Sequence, residues 1–390
     1  MYGVRLLRVA IVGVGWYGFK PSAPELSFRE MMFEAAVRAY RDANIDPRRD
    51  VDAFISCQED FWEGIAISDE FATEPIGGVL RPTMTIAGDG LQCVGQAYAM
   101  VKTGAFETIV VEAHAKPSDI LSIQEIYELA LDPQLRVLEV KNPLFQAGLD
   151  AVAYMRRSGA RREHLALVAY KNKNRGLLNP RASHAAPVRL EDIMESETVI
   201  YPMGRHEIAG FTDVAINMVI ASESKAKSYT DKPVWIEGVG WATELGSGVV
   251  EWHSWGRMPS MRTAGLMAYK QAGIENPLKQ ADFAEVEDRF SYMELLALEE
   301  LGLGGVEGVP KLLESGYYHP KGGLPVNPSG GSLSLGVTLE ATGLSRLLEA
   351  ALQLRGEAGG VQLKGVKRAI VASWRGPPTY TSMVVVVSSS

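Results

Sequence analysis

The chain has 390 residues, 46% hydrophobic and 22% charged, the composition of an ordinary folded protein with two or three domain-sized units. A net charge of −8 without any lysine- or arginine-rich run excludes nucleic acid as the main partner. The apolar run Met383-Val384-Val385-Val386-Val387 is strand-sized, far short of the ~20 residues of a membrane span.

The amino terminus enters a strand pattern at 8–12 with no signal-peptide layout, so a cytoplasmic location and no membrane partner are expected. That strand runs into Gly13-Val14-Gly15-Trp16-Tyr17-Gly18, a literal GxGxxG. A dinucleotide cradle needs a helix to open inside the loop and aim its amides at the pyrophosphate. Here the first helix start is Ser27, with Glu30 completing a capping box, so a glycine-rich strand exit is the preferred reading. A strand follows at 51–56, a helix from Gly90-Leu91-Gln92 to Lys102, and a strand at 108–113. An insertion at about 115–210 then holds helical patterns at 143–158 and 162–172 and a Pro/Ser/His-rich stretch at 178–188. Inserted loops on a rigid scaffold often carry function; packing or oligomer contact is the other reading.

The same order of elements recurs in the second half. Val9-Ala10-Ile11-Val12-Gly13-Val14-Gly15 is echoed by Val234-Trp235-Ile236-Glu237-Gly238-Val239-Gly240. The helix end and turn at 39–46 is echoed at 268–275, and the strand at 108–113 at 369–373. Three echoes in one order imply two related α/β halves, each a sheet covered by helices, divided at about 1–230 and 231–390.

Four segments carry a family resemblance. They are Glu287-Asp288-Arg289-Phe290…Glu294-Leu295-Leu296, Asn327-Pro328-Ser329-Gly330-Gly331 with Gly336 and Ala341-Thr342-Gly343, Gly90-Leu91-Gln92…Lys102-Thr103-Gly104, and Thr212-Asp213-Val214-Ala215. In that family's order they resemble motifs of the thiolase superfamily, sterol-carrier-protein and archaeal acetoacetyl-CoA thiolase type. The resemblance implies a thiolase fold of two similar halves in five layers, with a loop subdomain inserted in the first half. It further implies CoA or acyl-CoA as ligand, no covalently bound cofactor, no metal, and a homodimer or tetramer. The implied partners are a small zinc-ribbon/OB-fold accessory protein and hydroxymethylglutaryl-CoA synthase or another thiolase-like chain.

Thiolase chemistry needs a cysteine at a helix amino terminus, histidines to move protons and an oxyanion hole. The resemblance places the cysteine position at Ala87 and the two histidine positions at Glu287 and Val337, with Thr338 and Glu340 replacing the next motif residues. The late cysteine region reads Ser373-Trp374-Arg375-Gly376. Alanine and valine neither attack a thioester nor transfer a proton. Glu287 has two readings: an acid/base with a raised pKa in a dry pocket, or a structural ion pair with Arg289 or Arg205. Backbone at Ser329 and Gly376 is the expected oxyanion donor, and Asn327, Gly330, Gly331, His114 and Lys116 are the expected substrate-binding residues. His114 also reads as packing, and Gly204-Arg205-His206-Glu207 as a pocket wall or a surface ion-pair cluster. Cys57 and Cys93 are too few for a disulfide framework or four-ligand metal site. They suit a reducing compartment and read as strand-end and helix packing. The chemistry expected is therefore either none, with a CoA-binding or scaffold role, or retro-aldol cleavage using Glu287. An acetyl-CoA C-acyltransferase follows only if the cysteine position is misaligned at Ala87.

Overall fold

The computed structural model describes residues 7–59, 69–123, 126, 143–244, 254–376 and 379–390. Among them, β1 (Val9–Lys20), β2 (Ala53–Cys57), β3 (Thr83–Ile86), β4 (Thr108–Ala115), β7 (Asp213–Ser222), β8 (Val234–Thr243), β9 (Phe283–Glu285), β10 (Arg368–Trp374) and β11 (Thr381–Ser388) form a 9-stranded sheet in the order β3-β2-β4-β7-β1-β8-β11-β10-β9. A small hairpin of β5 (Thr198–Ile200) and β6 (Met203–Gly204) stands apart. The halves join where Val9, Ala10 and Ile11 pair antiparallel with Ile236, Trp235 and Val234.

Helix α1 (Phe28–Ala43) covers the outer face of the first half, and α5 (Pro259–Ala272) and α6 (Ser291–Glu300) that of the second. Between the half-sheets lie α2 (Gly90–Lys102) and α8 (Thr342–Arg355), in a central core with Ile109, Val111, Leu344, Leu347 and Val385. The result is five alternating layers, as the resemblance implied. The inserted subdomain contributes α3 (Pro143–Ser158) and α4 (Arg162–Gly176), four residues longer than its sequence pattern. α4 packs against α6 and the short α7 (Gly331–Leu335) of the second half.

The GxGxxG segment is not a strand exit, because β1 continues through all of it to Lys20. Its glycines serve helix contact. A Cβ on Gly13 would lie 2.6 Å from the Ala39 carbonyl oxygen, and one on Gly15 2.2 Å from that of Ala35, both in α1. The echo in β8 repeats the device: a Cβ on Gly238 or Gly240 would meet the carbonyls of Ala268 or Ala264 in α5 at 2.2 and 2.1 Å. Ser27 caps α1 with the reciprocal Glu30 contact, as its sequence indicates. Of the aromatic residues Trp252, Trp255, Phe61 and Trp62, which the sequence reads as either interface or core, Trp252, Phe61 and Trp62 lie outside the described residues.

Candidate functional site

Helix α2 starts at Gly90 with Asp89 as its N-cap, and Gln92 closes a capping box. Ala87 is exposed two residues before that cap, at the mouth of the helix amino terminus. The Asp89 carboxylate also caps a second helix. Its Oδ1 accepts the Leu91 N–H at 2.9 Å, while Oδ2 accepts the Gly343 N–H in the first turn of α8 at 3.0 Å. Ser373 Oγ, in β10, donates to the same Oδ2 at 2.8 Å. Gly343 makes this approach possible, since a Cβ there would fall 1.9 Å from Asp89 Oδ1. One buried carboxylate thus meets the partial positive charge at the amino ends of both central helices. Burial raises its pKa above the usual carboxylate value, against the lowering effect of its hydrogen bonds and of Arg346.

Glu287 follows β9 and is fully buried. Arg346, projecting from α8 and also buried, grips it with both guanidinium ends: Nη1 to Oε2 at 2.9 Å and Nη2 to Oε1 at 3.0 Å. Arg289 adds its backbone N–H at 3.0 Å and its Nε at 3.1 Å. Burial alone would raise the Glu287 pKa, but the charges of Arg289 and Arg346 outweigh it and hold the group at about 2. Of the two ion-pair partners read from the sequence, Arg289 is the one engaged. Arg346 also donates to Ser332 Oγ at 2.7 Å and Ser373 Oγ at 3.3 Å. A continuous buried path therefore runs Glu287–Arg346–Ser373–Asp89 and links the two halves.

Val337 is buried, and its backbone bonds Gly210 and Thr212 at 2.7 and 3.0 Å. The loop that follows it into α8 contains Glu340, which is also buried. Gly376, at φ +87°, borders Arg289, whose Nη1 would be 3.4 Å from a Cβ there.

The remaining expected site residues have structural commitments. The Ser329 N–H, an expected oxyanion donor, instead bonds Glu285 Oε1 at 3.1 Å, and its hydroxyl bonds Oε2 at 2.7 Å. Asn327 accepts from the Val286 N–H and donates to Glu294, at 2.8 and 2.7 Å. A Cβ on Gly331 would lie 2.0 Å from Asp288 Oδ2, whose carboxylate takes the Ser332 N–H at 2.7 Å; a Cβ on Gly330 would crowd Gly176 of α4 at 2.8 Å. These residues position the second half and its contact with the insertion. His114 bonds Glu112 at 2.8 Å and stacks on Phe28 of α1 at 5.4 Å. Its face of β4 is shared with Val110 of the α1-side core, opposite the α2 side. Lys116 bonds Asp119 at 2.6 Å. In the charged cluster, Glu207 is buried against Arg162, whereas Arg205 and His206 line a surface cleft of about 540 Å³ with Ser196, Glu197, Thr198 and Val199.

The cysteines require a correction. Rather than packing separately, Cys57 and Cys93 are joined by a disulfide across β2 and α2, with Cα atoms 6.1 Å apart and both residues wholly buried. While joined, neither is a nucleophile. Sequence reasoning also missed Asp89 and Arg346, and named Ser373 only by its place in the late cysteine region. The Asp-x-x-Gln cap at 89–92 signalled the first, and an arginine among Leu344, Leu347 and Leu348 the second.

With this geometry in place, known proteins supply the class. The thiolase C-terminal domain-like family matches residues 246–389. Acetyl-CoA acetyltransferase of Methanothermobacter thermautotrophicus is 29% identical over 371 residues, covering 92% of this chain and 94% of that protein. Sterol carrier protein 2 of Bos taurus is 26% identical, covering 93% of this chain and 69% of that protein. The 17-hydroxy-3-oxo-4-pregnene-20-carboxyl-CoA lyase of Mycobacterium tuberculosis is 26% identical over 389 residues, covering 95% and 97%. A solved structure described as an Ltp2-ChsH2(DUF35) aldolase superposes with a TM-score of 0.82 at 24% identity, covering 98% of each chain. These likenesses in sequence and fold support the thiolase superfamily, sterol-carrier-protein type, as the class the chain resembles.

Proposed function

We propose that this chain is an acyl-CoA-associated, thiolase-like protein that forms no covalent acyl-enzyme, and that it serves as a CoA-binding or scaffold subunit of a CoA-metabolising complex. The observation that carries this reading is the Glu287–Arg346–Ser373–Asp89 path at the aligned catalytic positions. A thiolate at a helix amino terminus is stabilised by unneutralised amides and dipole. Here Asp89 already occupies that electrostatic position for both central helices, Ala87 offers no sulfur, and Arg346 ties up Glu287. A homodimer or tetramer in the cytoplasm, joined by a small zinc-ribbon/OB-fold accessory protein and a synthase or thiolase-like chain, is the assembly that goes with it.

The direct test is intact-mass analysis after incubation with acetyl-CoA, alongside an acetoacetyl-CoA thiolysis assay. Neither an adduct nor turnover is expected. An acetyl group on Cys57 or Cys93 overturns the reading. Co-purification from the native source tests the complex, and recovery of the chain alone counts against a scaffold role.

The second reading, carbon–carbon lyase chemistry by retro-aldol cleavage, is favoured by the likeness to the mycobacterial lyase along nearly the whole of both chains. It keeps Glu287 as the proton acceptor. The carboxylate is ionised as a base must be, but a pKa near 2 makes it a weak one. Glu287→Gln with CoA binding intact then abolishes cleavage; retained cleavage removes Glu287 from the mechanism.

A further inference from the structure

The central layer holds a second chemical feature beside the catalytic positions. Cys57 closes β2, the strand parallel to both β3 and β4, and Cys93 lies in the first turn of α2. The disulfide between them therefore clips the amino end of α2 to the sheet. Cys57 Sγ is also 3.1 Å from the carbonyl oxygen of Asp89, the residue that caps α2 and α8 together. After reduction a thiol at Cys57 has that carbonyl as a ready acceptor, so both redox states find a satisfied arrangement at the same place. These are the only two cysteines in the chain, so pairing is unambiguous. In the cytoplasm that the proposed function assigns, a disulfide is usually transient, catalytic or redox-sensing.

We propose that Cys57 and Cys93 form a thiol–disulfide switch that sets how firmly the amino terminus of α2, and with it the Asp89 bridge to α8, is held. The exchange is balanced with a small disulfide as oxidant. A thiolate of one cysteine attacks the small disulfide and expels one small thiol; the second cysteine then attacks the mixed disulfide and expels the other. Two protons and two electrons leave the protein, and one S–S bond is made for the one broken. Because both sulfurs are wholly buried, exchange proceeds through local opening of the α2 amino end, which is where Ala87 is exposed. The switch is independent of which ligand the site takes.

The test uses the full chain equilibrated in buffers of graded glutathione to glutathione-disulfide ratio. Alkylation and mass analysis count free thiols, and amide hydrogen exchange is read over residues 88–95. A single transition between zero and two alkylated cysteines is expected, with exchange in that segment rising roughly tenfold or more on reduction. Cys57→Ser with Cys93→Ser should hold the fast-exchange pattern at every ratio. Two free thiols throughout, or protection over 88–95 unchanged between states, overturns the proposal. Acyl-CoA binding followed in the same samples separates this outcome from failure of the CoA-binding reading.

Discussion

Glu287 and Arg346 form a buried ion pair, with Arg289 a second cation on Glu287 and Asp288 a second carboxylate by Arg346, so the cost of a change depends on what it leaves behind. Glu287→Gln leaves the buried Arg346 guanidinium with only Asp288, at 3.6 Å, as a charged partner and should cost about 3–5 kcal/mol, whereas replacing both by leucine should cost less, since breaking a buried pair is worse than removing it. Urea denaturation of the two variants checks the order. Glu285 shifts the opposite way. Burial and the charge of Glu349 raise its pKa to about 8, so the folded state holds a proton that the unfolded chain releases near 4.5. Its stabilising contribution is complete below about pH 4.5 and is lost as pH rises towards 8. The Glu287 contribution is complete above about 4.5 and is lost as pH falls towards 2. The melting temperature should accordingly decline from pH 5 to 8.5, with a shallower slope in Glu285→Gln, which keeps the shape without the titration. Most of this was not legible in the sequence. Glu287 could be marked as a substituted catalytic position, but whether it was a base or an ion pair depended on Arg346, which lies 59 residues away.

At the scale of elements, the glycine pairs in β1 and β8 are one solution used twice. A strand can approach a helix to backbone contact only where no Cβ intervenes. Gly15→Ala and Gly238→Ala each place a methyl group 2.2 Å from a helix carbonyl, at Ala35 and at Ala268. Each should cost about 1–3 kcal/mol or more through overpacking, and urea midpoints should fall by similar amounts in both. A large loss at one site beside none at the other would argue against equivalent packing. The repeat and the α1 capping box were readable because they rest on local spacing. The course of β1 through its glycines was not, because the contact that demands them comes from α1, folding back across the strand.

Across the whole molecule, the insertion of the first half is fastened to the second by buried polar contacts. Lys171 pairs with Glu294, Asn172 bonds Asp288, and Arg181 pairs with Glu349. Arg181→Ala leaves Glu349 without its cation, an error of about 3–5 kcal/mol for a fully buried pair. Limited proteolysis should then cut the 178–188 stretch sooner than in the parent chain, while the cores of the halves stay resistant. Uniform loss of resistance would mean that the anchor belongs to the global core. By itself the sequence determined the two-fold α/β plan, because periodicity, capping and repeated glycine spacing are short-range signals, while the layers came only as what its motif resemblance implied. Only the tertiary structure decided that the two cysteines meet, that Asp89 caps both central helices, and that Arg346 closes on Glu287. Those are encounters between distant segments, and their energies depend on burial, which spacing along the chain does not record.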